Sequence, residues 1–191
     1  MTAEVRRSSI QYPGGLAARF RWAGSGQAEE VFALSETGGS LTDVGALATD
    51  QPDRACRAEL RVEGPIGVWT VRFASPIFDE PEGLLWGEPG LLVVKYGFLA
   101  YGLLGRTGDL RWHIACGTPI VTVLGSSRLD HVLVQGEVET IAVRADGSIA
   151  WRAAHDEVVT EAELVGGRLV ILGFDGQARA LDPISGRSLG S

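Results

Sequence analysis

From Val93 onward the chain repeats itself every 39 residues without a gap. Segments beginning at Val93, Val132 and Ile171 align so that Gly97 falls on Gly136, Trp112 on Trp151, and Gly108 on both Gly147 and Gly186. The apolar pairs Val93–Val94, Val132–Leu133 and Ile171–Leu172 coincide in the same register. A fixed period of this size means that one supersecondary unit recurs, and a single such unit cannot bury its apolar face alone. Any fold for this chain must therefore stack copies of one motif.

Each unit reads as short strands joined by tight turns. The first strand is a buried apolar run at 91–94 or 169–172. Turns follow at Gly97, at Gly136 and at Asp175-Gly176, the last being a strong hairpin signal. The second strand spans 99–104, 138–143 or 177–181 and runs into a turn at Thr107-Gly108, Asp146-Gly147 or Ser185-Gly186. A third strand carries the Trp, and 118–124 and 158–164 supply a fourth. Four strands in about 40 residues is the size of a propeller blade.

The stretch LVILGFDGQARALDPISGR, with Asp175-Gly176, Ala180-Leu181-Asp182 and Ser185-Gly186, resembles the PQQ-type (quinoprotein-like) propeller repeat. The two earlier units keep the closing Gly and the Trp but lack the Ala-Leu-Asp. The resemblance covers roughly residues 90–191 and implies a blade, with no cofactor attached to it: the quinoprotein dehydrogenases of that family use a much larger ring.

The first 89 residues also read as strands, at 17–22, 30–34, 57–62 and 68–73, in alternating apolar and polar order. Trp22, Trp69, Trp112 and Trp151 stand 47, 43 and 39 residues apart, a spacing that fits either one Trp per blade in a decaying repeat or coincidence among five tryptophans. The expected architecture is all-β: a single domain over 1–191 forming a small four-bladed propeller-like ring. Degenerate blades fill 1–89, and clear repeats fill 90–127, 128–166 and 167–191. The strands near 5–11 and 17–22 would complete the last blade and hide its edges. The alternative is an open half-propeller that pairs with a second copy.

Composition narrows the function classes. A net charge of −7 argues against a nucleic-acid partner and favours a protein with a basic surface. Arg54, Arg57 and Arg61 form a local exception and read as a solvated strand face. The opening MTAEVRRSSIQYPGG has no apolar core of a signal peptide, and the longest apolar stretch is too short and too interrupted to span a bilayer, so a cytoplasmic protein off the membrane is expected. In that compartment Cys56 and Cys116 read as free, partly buried thiols.

No catalytic constellation stands out. His113, His131 and His155 have no partner at metal-ligand spacing, and there is neither a nucleophile elbow nor a phosphate loop. Asp156, Glu157, Glu161 and Glu163 read as the polar face of a strand. The loops at 35–55 and 74–90 are the irregular stretches, where binding residues tend to sit on a rigid scaffold. The second contains the candidate binding residues Asp79, Glu80, Glu82 and Trp86. The expected function is a non-enzymatic protein-interaction module. The alternatives are a small-ligand or carbohydrate binder stacking on Trp86, and an acidic protein that neutralises a toxin, with a propeller-type hydrolase last.

Overall fold

The structure is a computed structural model that describes residues 4–88 and 90–190. It is all-β: among the described residues there is one short α-helix, and sixteen strands form four sheets of three to five strands each. The chain divides into two compact units, Met1–Pro81 with Leu103–Leu110, and Glu82–Gly102 with Arg111–Ser191. Among the described residues no helix is long and apolar enough to cross a membrane.

The first unit is built on strands β1 (Arg6–Tyr12), β2 (Leu16–Ala23), β3 (Ser40–Asp43), β4 (Cys56–Gly64) and β5 (Gly67–Ser75), in the order β1-β2-β4-β5-β3. The first four run antiparallel, and β3 joins β5 in parallel. One face is the core: Ala18, Phe20 and Trp22 of β2 lie beside Ala58, Leu60 and Val62 of β4, and these beside Trp69, Val71 and Phe73 of β5, all buried. Helix α1 (Ala28–Ala33) occupies part of the span expected as a strand at 30–34. Glu29 and Glu30 sit in its first turn, where the helix dipole favours acids, and only Val31 is buried.

The second unit contains β6 (Glu82–Trp86), β7 (Leu91–Tyr96), β8 (Leu99–Leu104) and β9 (Leu110–Ala115) as one sheet, the β8–β9 tip excepted. A second sheet holds β10 (Ile120–Leu124), β11 (His131–Gly136), β12 (Glu139–Arg144) and β13 (Ile149–Ala154), and a third holds β14 (Val159–Val165), β15 (Arg168–Gly173) and β16 (Ala178–Leu181). Leu133, Ala142, Val159, Ala162, Leu169, Ile171 and Leu181 form the core between the last two sheets.

Sheet boundaries differ from the sequence reading in one consistent way. The spans expected as fourth strands, 118–124 and 158–164, are instead the first strands of the following sheets: β10 pairs with β11, and β14 with β15. The strands expected to complete the last blade also lie elsewhere, because β1 and β2 pair with each other and β2 with β4. The last sheet keeps three strands, and a fourth is represented by the Leu181–Ser188 bridge and the Leu189 amide donating to Ala180 O. Among the described residues, strand pairing therefore closes no ring.

The repeat has a physical basis in one contact. Trp112 and Trp151 lie on the last strands of their four-stranded sheets and Trp69 on β5, and each covers a glycine of the next repeat: Gly147, Gly186 and Gly108 respectively. All three glycines have positive φ (76°, 86° and 71°), a conformation that closes the turn and leaves the backbone bare for the ring. The indole N–H of Trp69 donates to Gly105 O at 3.1 Å, and that of Trp151 to Pro183 O at 3.2 Å. Trp22 falls outside this series: it lies on β2, so the even count of one Trp per blade does not extend to it.

Candidate functional site

The charged face of the first sheet is the most chemically dense region of the chain. Strand β4 alternates Arg57, Glu59, Arg61 and Glu63 with its core residues, so period-2 geometry puts those four on one side. The register extends this into cross-strand rows. Arg7, Arg21, Glu59 and Arg72 form one row across β1, β2, β4 and β5, and Ser9, Arg19, Arg61 and Thr70 form the next.

The sequence suggested that Arg54, Arg57 and Arg61 lie on a solvated face. Arg54 is exposed, but Arg57, Glu59 and Arg61 are buried, at 2%, 2% and 7% exposure. The cover comes from the segment between β2 and β4. Phe32 of α1 lies under two guanidinium groups, Arg72 at 4.0 Å and Arg57 at 4.9 Å from its ring centre. Arg61 wraps the turn after α1, donating to the carbonyls of Glu36, Thr37 and Gly38 at 3.1–3.4 Å. Arg21 donates to Leu34 O, and Ser35 Oγ to Glu59.

Carboxylates compensate most of the buried positive charge. Glu59 receives Arg72 Nε at 3.2 Å, and Asp43 receives Arg57 Nη2 at 3.1 Å while capping the Gly45 amide at 2.8 Å. Glu63 receives Arg19. Glu36, half exposed, is shared by Arg19 at 3.0 Å, Arg61 at 3.5 Å and Arg21 at 3.7 Å. Arg57 Nε and Nη1 are buried without an acceptor among the described residues, so the aromatic ring and the single Asp43 contact hold that charge.

Where the cover ends, a groove of 480 Å³ opens between β1, β2 and the turn after α1, lined by Arg7, Ser9, Arg19, Arg21, Leu34 and Glu36 among others. Arg7 is exposed and makes no ion pair among the described residues. The groove thus presents three arginines against one carboxylate on a chain of net charge −7. Arg57 and Arg61 of the cluster are close together in the sequence, but the groove is not legible there, because Arg7, Arg19 and Arg21 join them only through strand pairing.

The residues of the 74–90 loop divide between the two units. Asp79 and Glu80 belong to the first, where Glu80 is exposed and borders an open hollow with Glu4, Arg6, Arg7 and Trp22. Glu82 and Trp86 belong to the second. Glu82 Oε1 accepts Thr122 Oγ1 at 2.6 Å and the Val123 amide at 3.2 Å, which ties β6 to β10. Trp86 is buried at 8% exposure, opposite Leu91, and borders a hollow of 370 Å³ with Leu84, Gly125 and Leu129.

His131 and His155 of the second unit are held by internal hydrogen bonds, whereas His113 is exposed. His131, buried, has Nε2 2.8 Å from Pro183 O and Nδ1 2.7 Å from Asp130, and meets Trp151 edge-on. His155 Nε2 lies 2.7 Å from Thr140 Oγ1, whose own proton goes to Gln135 Oε1 at 2.6 Å. Both cysteines are free and buried. Burial, with Glu139 adding to it, pushes the Cys116 thiol up to about 12, which leaves it a poor nucleophile. Among the described residues no three His, Cys, Asp or Glu side chains are placed to hold a metal ion.

No protein-family model matches the chain, and no curated protein does. Solved structures do. BamB from Moraxella catarrhalis superposes with a TM-score of 0.54 at 16% identity, over 98% of this chain and 67% of that one. HIRA(644-1017) follows at 0.48 and 13% over 93% and 50%, and the computationally designed Ika4 protein at 0.48 and 13% over 53% and 66%. The chain therefore spans half to two thirds of the length of these structures. At such identity the likeness to BamB, a PQQ-like propeller, is one of fold: the chain is β-propeller-like.

Proposed function

We propose that this chain is a non-catalytic protein-interaction module that binds its partner through the arginine groove of the first sheet. One observation carries this reading. Arg19 and Arg21 are held in place by Glu36, Glu63 and the Leu34 carbonyl, on a turn that the buried Arg61 grips from beneath, so the site is preorganised, yet Arg7 makes no ion pair among the described residues. Propeller-like scaffolds serve binding by presenting fixed side chains on rigid strands, and this is such a presentation. The whole-chain charge of −7 favours a basic partner at long range. Salt screens it beyond about 8 Å, so the local cations dominate once a partner is in contact.

A photoreactive amino acid at position 9, on the groove side of β1, tests the reading. Irradiated in a lysate of the source cells, it should form a discrete protein adduct, and the same group at position 165 on β14 should not. Adducts only from position 165, or from neither, would remove the groove as the binding surface. Light scattering on the purified chain separates a foreign partner from self-association.

A further inference from the structure

Resting on that reading, we infer that the partner supplies an extended acidic segment that adds to the sheet as a new strand along the free edge of β1. Strand β1 ends the sheet: it pairs with β2 on one side, and among the described residues no strand pairs along its other edge. Its seven residues pair with β2 in unbroken register from Arg6–Trp22 to Tyr12–Leu16, with no bulge and no proline. Natural sheets usually blunt such an edge by a bulge, a proline or a cover, and a regular uncovered edge is the template for strand addition. Arg6, Arg7, Ser9 and Gln11 are exposed along it.

The chemistry of the occupant follows from the register. Arg7 and Ser9 stand on the charged face beside Arg21 and Arg19 of β2. A strand added along β1 places alternate side chains on that same face, two residues apart, over a groove whose cations outnumber its one carboxylate. Carboxylates at alternate positions meet Arg7 first and then compete with Glu36 for Arg19 and Arg21. The other alternate side chains fall on the face of Ser8 and Ile10, which is half-buried and suits small apolar residues. The expected sequence is an alternation of acid and aliphatic residues.

The test is an amide-resolved NMR titration of the whole chain with a blocked alternating Glu-Val octapeptide. Shifts should concentrate in residues 6–12 and in the turn at 34–38. Arg7→Glu should weaken binding roughly tenfold or more, as loss and reversal of a groove charge should. Glu36→Gln should tighten it, because it removes the internal competitor. Of the two peptides N-methylated at alternate residues, one should fail, since only one edge of an added strand bonds to β1.

Shifts confined to other regions, no shifts at all, equal binding of both N-methylated forms, or a Lys-Val peptide binding as well as Glu-Val would overturn the inference. So would tighter binding of an oligonucleotide at the same amides. The photoadduct at position 9 judges the broader reading independently: an adduct there together with a silent octapeptide would leave the groove a protein site with a different occupant.

Discussion

Trp112 lies directly on the α-carbon of Gly147: a Cβ built on that glycine would stand 2.6 Å from Trp112 Cβ and 3.0 Å from Cγ. The glycine also has φ of 86°, so two independent constraints forbid a side chain there. Gly147→Ala should therefore cost about 2–4 kcal/mol, combining left-handed strain with overpacking. Gly176→Ala is the matched control, since its φ is 75° but nothing lies within 4 Å of the added carbon. It should cost about 1 kcal/mol, from backbone strain alone. Urea melts of the two variants check the difference.

This contact explains why the repeat was legible. A glycine at positive φ and the tryptophan that covers it are both sequence-local signals, and stacking identical units keeps them in step at Gly108, Gly147 and Gly186. Strand existence in 90–181 followed directly. Assigning strands to sheets failed by one strand, because 118–124 looks the same in sequence whether it ends one sheet or begins the next, and only pairing with β11 decides. The first sheet was harder. Residues 30–34 alternate like a strand yet 30–33 belong to α1, and whether Arg57 and Arg61 are wet depends on the cover laid over them by 24–55, which has no period to read. The groove needs Arg7, Arg19 and Arg21 side by side, a relation set wholly by β1–β2 pairing.

Glu59 should be the most sensitive position of the charged face. It is 2% exposed and receives Arg72, Ser35 and, at 4.0 Å, Arg21. Glu59→Leu leaves Arg72 and Arg21 facing an apolar group, and breaking a buried pair from one side costs roughly 3–5 kcal/mol. Adding Arg72→Leu should recover part of that loss, because the stranded charge leaves with it. A double-mutant cycle by denaturant unfolding measures the recovery.

Cys116 sets an alkaline limit. Its folded pKa lies near 12 against 9.0 for the free thiol, so above pH 9 the unfolded chain releases a proton that the folded chain keeps. Stability from this group is intact below pH 9 and falls as pH rises toward 12. Cys116→Ala should flatten that decline. At pH 8 both buried thiols should react with a disulfide reagent far more slowly than in the urea-unfolded chain.

Two turn carboxylates act in the opposite range. Hydrogen bonds from Ser148 lower the Asp146 pKa, and hydrogen bonds from Ser185 and the Ile184 amide lower that of Asp182. Their stabilisation is complete above the unfolded value of 3.8 and is lost as pH falls through the lower folded values. Asp146→Asn with Asp182→Asn keeps the acceptors and removes the titration, so the slope of stability against pH below 4 should shrink.

The Gln135–Thr140–His155 chain gives a further pH signature. Gln135 and Thr140 are fully buried, and Gln135 Nε2 donates to Gly136 O at 2.7 Å, which orients its Oε1 toward the Thr140 hydroxyl. That hydroxyl has one proton, given to Gln135, so His155 Nε2–H donates to Thr140. Thr140→Val leaves both Gln135 Oε1 and His155 Nε2 unpaired and should cost about 1–3 kcal/mol. Burial, and then Arg179, lower the His155 pKa below its ordinary 6.5. The unfolded chain therefore takes up a proton first as pH falls through 6.5, and folding stability should decline across that step. His155→Gln should abolish the decline between pH 7 and 5. A decline that survives the substitution would place the titrating group elsewhere.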